Sequence, residues 1–197
     1  FKKSIFHQPT QIQKNIPKYY DNQTRLNAGL FEHKKSKKTI RIICVYVPNG
    51  SEIGSEKFTY KLNWFKSLIE MIEEEKMIYE KICILGDFNI APSDIDVHDP
   101  KKWQDKILCS TDERLLFERL LEQDFFDSYR SIHEASKSFS WWDYRQASFR
   151  RNIGLRIDHI LLSNSLKTSL TEAGISKGPR KLEKPSDHAP CWVKIKL

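Results

Sequence analysis

The sequence contains no run of 18 uninterrupted apolar residues, so it lacks the stretch that a membrane-spanning helix needs. Residues 1–18 mix Lys, Gln and Pro instead of placing an apolar segment after a charged start, and no export signal is expected. Internal repeats, low-complexity tracts and an obvious linker are also missing. With 197 residues, we expect one domain spanning residues 1–197, cytoplasmic and without a membrane partner.

The cysteines lack the spacing of a metal site. Of the four, none forms a C-x-x-C pair or lies near a His at zinc-site spacing. Cys44, Cys83 and Cys191 fall inside apolar runs, whereas Cys109 does not. We expect buried, reduced thiols in preference to disulfides or metal ligands.

The charge balance is basic, with a net charge of +7. Lys and Arg that neutralise phosphates gain free energy when counterions are released, so a polyanionic partner would suit this charge. A solvated basic surface explains the same composition equally well.

The first half of the chain predicts layered α/β packing. Residues 39–47 (TIRIICVYV) are β-branched and aromatic and stop at a Pro-Asn-Gly turn, which predicts a buried strand. Residues 57–79 carry apolar side chains every three or four positions and predict an amphipathic helix. Residues 81–88 predict a second short strand. A strand, a helix and a strand in this order favour an α/β fold.

The second half is less regular. Residues 89–109 have no apolar period and predict a long loop. Ser110 and Glu113 have the spacing of a capping box and predict a helix start. Further strands are predicted at 139–142, 155–163 and 191–197, separated by a basic loop at 145–152 and a Pro-containing loop at 178–190.

Polar side chains cluster where these apolar runs end. In a layered α/β protein, strand ends open onto one rim, where distant parts of the chain can converge. Hydrolysis of a phosphodiester needs oxygen ligands for Mg²⁺, a group that positions water and donors to phosphate oxygens. Each Asp taken singly could equally be a turn residue or a helix cap. The polar set is Tyr46, Asn49, Asp87, Asn89, Asp158, Asp187 and His188.

Five segments, in order and spacing, resemble the exonuclease III and apurinic/apyrimidinic endonuclease family, and its bacterial exonuclease III branch most. They are VYVPNG (45–50), GDFNIAP (86–92), SWWDYR (140–145), GLRIDHILLS (154–163) and SDHAP (186–190). The resemblance runs from about residue 39 to the C-terminus. It implies a four-layer α/β sandwich, in which two packed mixed β-sheets are flanked by helices.

The resemblance also implies catalytic roles. Asp87 and Asn89 would align the attacking water and deprotonate or polarise it, and Tyr46 would donate its phenolic hydrogen to the phosphate. His188 would contact that phosphate and either stabilise its charge or take a proton, and Asp158 would hold the imidazole in one tautomer. The expected metal set is Asp87, Asn89, Asp187 and His188, with Mg²⁺ as the cofactor and Mn²⁺ as an alternative.

The expected DNA contacts lie mainly in the second half of the chain. Trp141, Leu155 and Ile157 would form an apolar pocket for a deoxyribose that lacks its base, although Trp141 could equally fill the core. The basic loop would grip phosphates, with Phe149 placed to wedge a base step; a solvated loop is the alternative. The expected DNA-binding set is Asn49, Trp141, Arg145, Arg150, Arg151, Leu155 and Ile157.

The implied activity is Mg²⁺-dependent hydrolysis of DNA phosphodiesters in base-excision repair, 5′ to abasic sites and stepwise from duplex 3′ ends. Double-stranded DNA would be the partner of a monomeric, nucleoid-associated bacterial enzyme. Two alternatives stay open, an inactive DNA-binding fragment and a phosphodiesterase with a non-DNA substrate.

The sequence departs from the family pattern at its front. The family's early strand Asn and its Leu-Gln-Glu metal ligand are not found within residues 1–38. We therefore expect that an N-terminal segment bearing them is missing, and that residues 1–197 alone are nearly inactive and poorly soluble.

Overall fold

The computed structural model describes residues 3–197, so the first two residues of the expected domain lie outside the described part. A mixed β-sheet of six strands, in the order β1-β2-β3-β4-β6-β5, occupies its centre. β3 and β4 are parallel, and the other neighbours are antiparallel. The strands are β1 Thr10–Lys14, β2 Leu26–Glu32, β3 Thr39–Tyr46, β4 Ile82–Asp87, β5 Phe125–Asp127 and β6 Asp158–Ser163.

Two helices cover one face of this sheet. α1 (Glu56–Ile78) connects β3 to β4, and the hydroxyl of its N-cap Ser55 accepts the N–H of Phe58 at 3.1 Å. α3 (Thr111–Glu122) begins with the capping box predicted from Ser110 and Glu113. α2 (Pro100–Trp103) and α4 (Ser128–Ile132) are short. None of the helices in residues 3–197 is long and apolar enough to cross a membrane.

The alternation of side chains along the strands explains the layers. Ile43 and Ile84 point into the main core with the apolar side chains of α1 and α3. Their strand neighbours Ile42 and Leu85 point to the opposite face. There they pack in one cluster with side chains of a second sheet, in which β7 (Leu170–Ile175) and β8 (Cys191–Ile195) are antiparallel.

The expected α/β class with two packed sheets is thus confirmed. The larger sheet is mixed as expected, whereas the second sheet of the described chain has only two strands, both antiparallel. α4 contacts both β6 and β7, so it bridges the two sheets.

Two strand predictions in the second half were wrong in extent. Residues 139–142 form no strand, because Trp141 makes only isolated bridges to Leu155 and His188. The strand expected at 155–163 begins at Asp158. The Ser140 hydroxyl accepts the N–H groups of Ile157 and Asp158, both at 3.0 Å, and so replaces a strand partner there.

Other elements were not predicted. β1 and β2 lie within residues 1–38, and β5, α4 and β7 lie between the predicted segments. The expected loop at 89–109 contains α2 and a short 3-10 turn, Asp94–Asp96.

All four cysteines are free thiols. Cys83 and Cys109 are buried and Cys191 is half-buried. Cys44 is exposed, so its expected burial was wrong: the side chain alternates away from the core that Ile43 and Val45 enter.

Candidate active site

Three neighbouring strands carry polar side chains at one end of the large sheet. Tyr46 ends β3 and Asp87 ends β4, and these two residues are register partners. Asp87 is also the partner of Asp158, the first residue of the antiparallel strand β6. The register therefore places a phenol and two carboxylates side by side. A cleft of about 370 Å³ opens here, and Asp87, Asp158 and His188 contribute to its lining.

A tight turn after β4 fixes the Asp87 carboxylate. Asn89 donates to it twice, from the backbone N–H at 2.9 Å and from the side-chain amide at 3.1 Å. The same amide donates to the carbonyl of Val47 at 3.0 Å, and the Asn89 side-chain oxygen accepts from the Asn49 amide at 3.1 Å. Asp87, Asn89 and Asn49 thus form one connected group.

Gly86 allows the approach to this turn. Its φ of +140° lies in a region that favours glycine, and an added Cβ would lie 1.9 Å from the carbonyl oxygen of Val45. Any side chain here would push β4 away from β3 and displace Asp87.

The Asp87 carboxyl group lies in an electrostatically unfavourable place. Burial, and secondly the charge of Asp158, raise its pKa to about 6 against the opposing effects of the Asn89 N–H and His188. The two facing carboxylates leave negative charge that the neighbouring protein groups do not fully compensate.

His188 and Asp158 form the expected pair. The imidazole Nδ1 lies 2.8 Å from the Asp158 carboxylate, and the histidine side chain is 30% exposed. Burial lowers the pKa of His188, but the hydrogen bond to Asp158 and its charge outweigh burial, and the pKa is raised. The carboxylate fixes Nδ1–H as the donor, so Nε2 is the nitrogen left for a ligand.

Asp187 points toward the expected pocket. One of its oxygens accepts from the indole N–H of Trp141 at 2.9 Å, which leaves the other for a metal or a substrate. Trp141 is half-buried and packs against an apolar cluster containing Leu155 and Ile157. Leu155 is 0% and Ile157 is 2% exposed, so both side chains are buried beneath Trp141, and the apolar pocket expected from these three residues stays a prediction. Their direct contact with DNA stays a prediction.

The basic loop divides into two parts. Arg145 is exposed but forms an ion pair with Asp143 at 2.6 Å. Arg150 and Arg151 are exposed, and within residues 3–197 neither forms an ion pair with a carboxylate. Phe149 packs edge-on against the buried Trp142, with ring centroids 5.0 Å apart. Phe149 is half-buried and packs against the cluster that contains Trp142, and its expected role as a wedge stays a prediction.

Sequence reasoning missed two groups of buried charges. Lys61 contacts Glu113 beneath the rim, and Arg156 contacts Asp96 and Asp127 behind β6. A signal existed for Lys61, because it lies three residues after Phe58 and four before Phe65, within the apolar stripe of α1. A lysine on that stripe must be buried or must extend out of it.

The side chains at the rim are of the type that binds a divalent metal. Mg²⁺ prefers oxygen ligands, and the carboxylates of Asp87 and Asp158 lie side by side there, whereas the side-chain oxygen of Asn89 accepts from Asn49. No group of three or more His, Cys, Asp or Glu side chains is arranged to hold an ion within the described residues. The expected four-residue metal set therefore stays a prediction.

The layered fold and this rim define a protein of the two-sheet nuclease and phosphatase type. The chain belongs to the endonuclease/exonuclease/phosphatase family, whose model matches residues 33–188. Nucleases of this family depend on a divalent metal.

Known proteins are similar over most of the chain. Exodeoxyribonuclease III of Haemophilus influenzae is 39% identical over 165 residues, which cover 80% of this chain and 62% of that protein. The exodeoxyribonuclease of Bacillus subtilis is 34% identical, covering 86% and 68%. This chain therefore spans about three fifths of the first relative and two thirds of the second.

Solved structures share the fold. The Neisseria 3′ phosphatase NExo, bound to a product DNA hairpin, superposes with a TM-score of 0.91 at 39% identity, covering 96% of this chain and 72% of that one. An AP endonuclease from Archaeoglobus fulgidus has a TM-score of 0.87 at 30% identity, with the same coverage.

Proposed function

We propose that the protein is a DNA-repair phosphodiesterase that uses Mg²⁺ to hydrolyse DNA 5′ to abasic sites and from duplex 3′ ends. The observation that carries this proposal is the row of Tyr46, Asp87 and Asp158 on three adjacent strands, with His188 hydrogen-bonded to Asp158. The DNA-bound relative and the relatives named as exodeoxyribonucleases and AP endonucleases support DNA as the substrate.

In this proposal, water adds across the P–O3′ bond, leaving a 3′ hydroxyl and a 5′ phosphate. Asp87 accepts a hydrogen bond from the attacking water, and Asn89 keeps that carboxylate oriented. His188 presents Nε2 to a phosphate oxygen while Asp158 holds Nδ1–H. Tyr46, 53% exposed at the rim, donates its phenolic hydrogen to the same phosphate.

Asp87 and Asn89 would hold Mg²⁺, and Asp187 and His188 lie at the same rim as further candidate ligands. When bound, Mg²⁺ neutralises charge that develops on the phosphate oxygens. Burial, and secondly the charge of Asp158, raise the pKa of Asp87, and a cation bound beside these two carboxylates would offset both effects.

The test is incision of a duplex that contains one abasic site, with Mg²⁺ and then with EDTA, using the protein as its natural gene produces it. We expect incision, and removal of nucleotides from an undamaged 3′ end, only with Mg²⁺. DNA binding without incision would favour an inactive DNA-binding protein. Hydrolysis of bis(p-nitrophenyl) phosphate with neither incision nor DNA binding would favour a different phosphodiester substrate.

We expect the basic loop to contribute to DNA binding through phosphate contacts. Replacing Arg150 and Arg151 by Ala should reduce the slope of log affinity against log salt by about 1 to 2. For each phosphate contact that is lost, DNA binding releases about one counterion fewer. The measurement is fluorescence anisotropy with a labelled duplex at several salt concentrations.

The matched control for this charge change is Lys35→Ala with Lys38→Ala. These lysines are exposed on the turn between β2 and β3, at the end of β3 opposite to Tyr46. The control should leave the slope nearly unchanged. Equal slopes for the arginine variant and the unmodified protein would exclude the loop from the DNA interface.

A further inference from the structure

Lys61 is a buried cation directly beneath the rim. The residue is 0% exposed, although it lies on α1 in a stripe of apolar side chains. Its ammonium group donates to the carbonyl of Asn49 at 3.1 Å, to the carbonyl of Asn89 at 2.6 Å and to the carboxylate of Glu113. An ammonium group has three hydrogens to donate, so these acceptors use all of them.

Glu113 is itself fixed, so it can fix Lys61. Its carboxylate accepts the N–H of Leu108 at 3.1 Å, and the N–H and hydroxyl of Ser110 at 3.0 Å and 2.7 Å. These contacts close the start of α3. The ammonium group of Lys61 is therefore held between α1 and α3, and the two loops that follow β3 and β4 attach to it.

Gly50 leaves room for the lysine side chain. An added Cβ at Gly50 would lie 3.0 Å from Cδ of Lys61, and its φ of +91° disfavours any residue with a side chain.

The effect of this contact reaches the site through one residue. Asn89 has a φ of +50°, in the left-handed region that Asn adopts more readily than most residues other than glycine. Lys61 binds the carbonyl of this residue, while its N–H and amide orient the carboxylate of Asp87. Within residues 3–197, no other side chain donates to both the Asn49 and the Asn89 carbonyls.

We infer that Lys61 is a positioning residue, whose ammonium group ties the Asn49 and Asn89 loops together and thereby sets the Asp87–Asn89 turn for the reaction. The inference deepens the proposed function and rests on it for its kinetic effect. The rival explanation is that the ion pair serves stability alone.

A second buried ion pair supplies a matched control. Arg41 and Glu75, which are 2% and 6% exposed, are joined by two hydrogen bonds of 2.7 Å and 2.9 Å. Arg41 also donates to the carbonyl of Gln11 at 2.6 Å. This pair lies between the start of β3 and the end of α1, at the opposite end of the sheet from the rim.

The experiment compares two double variants of the natural protein. One carries Lys61→Met together with Glu113→Gln, and the other carries Arg41→Met together with Glu75→Gln. Removing both members of a buried ion pair avoids leaving one buried charge alone, and such replacements are often near neutral in stability. Gln also retains the capping box. We expect the Lys61 pair of changes to lower kcat about 10- to 100-fold with a smaller change in KM, because misplaced catalytic groups slow the chemical step. The Arg41 pair should leave kcat near its original value.

A second readout does not depend on activity. In ¹H–¹⁵N spectra without DNA or metal, the side-chain amide signals of Asn49 and Asn89 should shift or broaden in the Lys61 variant and stay in place in the Arg41 variant. If the unmodified protein has no nuclease activity, the proposed function fails, and these signals still decide the role of Lys61.

Unchanged amide signals in a folded Lys61 variant, or an equal loss of kcat in both variants, would overturn the inference. Should the Met variant not fold, Lys61→Gln with Glu113→Gln keeps a shorter polar side chain at the same position. If this variant also fails to fold while the Arg41 variant folds, Lys61 serves the fold and the inference is rejected.

Discussion

Asp158→Asn is expected to lower kcat by about 100-fold or more while DNA binding changes little. The carboxylate accepts the Nδ1 hydrogen of His188 at 2.8 Å and favours the charged imidazole. An amide is neutral, and its NH₂ group can donate to Nδ1 and stabilise the tautomer that carries its hydrogen on Nε2. The imidazole would then more often be neutral, and the charged form that donates from Nε2 to the phosphate would be less populated.

The measurement combines kcat on the abasic-site duplex with an NMR titration of His188. Because Asp158 raises the pKa of His188, that pKa should fall in the variant. Glu172→Gln is a suitable control, since Glu172 forms an exposed ion pair with Lys194 on β7 and β8. A folded Asp158→Asn protein with nearly normal kcat would remove Asp158 from the proposed mechanism.

The elements predicted well are those that local sequence determines. α1 was predicted within one residue at each end, because a cap and an apolar stripe define it without reference to the rest of the chain. β3 and β4 are buried apolar runs that end in turn residues. Their prediction needed no knowledge of their neighbours.

The elements missed depend on partners distant in sequence. β1 lies at the edge of the sheet and is exposed at all but one position, so its sequence TQIQK has no apolar alternation to detect. Residues 139–142 have strand composition, but the Ser140 hydroxyl binds the N–H groups of Ile157 and Asp158 and no ladder forms. That contact joins residues 17 and 18 positions apart and leaves no local pattern.

The candidate site was predicted as a set of residues, and the structure adds how they are related. Motif order named Asp87, Asp158 and His188, and their roles stay predictions. Sequence could not show that Asp87 and Asp158 are register partners, since 71 positions separate them along the chain and the register belongs to the sheet. Nor could it show that Lys61 reaches two loops beneath them.

Because Asp87 and Asp158 are register partners, we expect that neutralising Asp87 lowers activity and raises stability. Asp87→Asn should reduce kcat by about 1000-fold or more, because the carboxylate proposed to orient water and bind Mg²⁺ becomes neutral. The same change removes a charge that burial and Asp158 both disfavour. We therefore expect the variant to gain stability relative to the unmodified protein at neutral pH in EDTA.

The sign of the pH dependence follows from the raised pKa. The folded protein binds a proton at Asp87 with a pKa of about 6, against 3.8 for the unperturbed group. The stability from this proton is fully present below pH 4 and is lost as the pH rises through about 6. The difference between these two pKa values corresponds to about 3 kcal/mol of unfolding free energy at most, at 1.36 kcal/mol for each pKa unit. The amide does not titrate, so the advantage of the variant should grow between pH 4 and pH 7 and then level off.

Urea unfolding at several pH values in EDTA measures this difference. Asp112→Asn, which changes an exposed carboxylate in the first turn of α3, is the control and should give a much smaller change. Adding Mg²⁺ should stabilise the unmodified protein and not the Asp87 variant, because a ligand that binds only the folded state adds its binding free energy to stability. A stability difference that stays constant with pH would show that Asp158 and burial do not strain Asp87. An equal stabilisation by Mg²⁺ of the unmodified protein and of the Asp87 variant would remove Asp87 from the metal site.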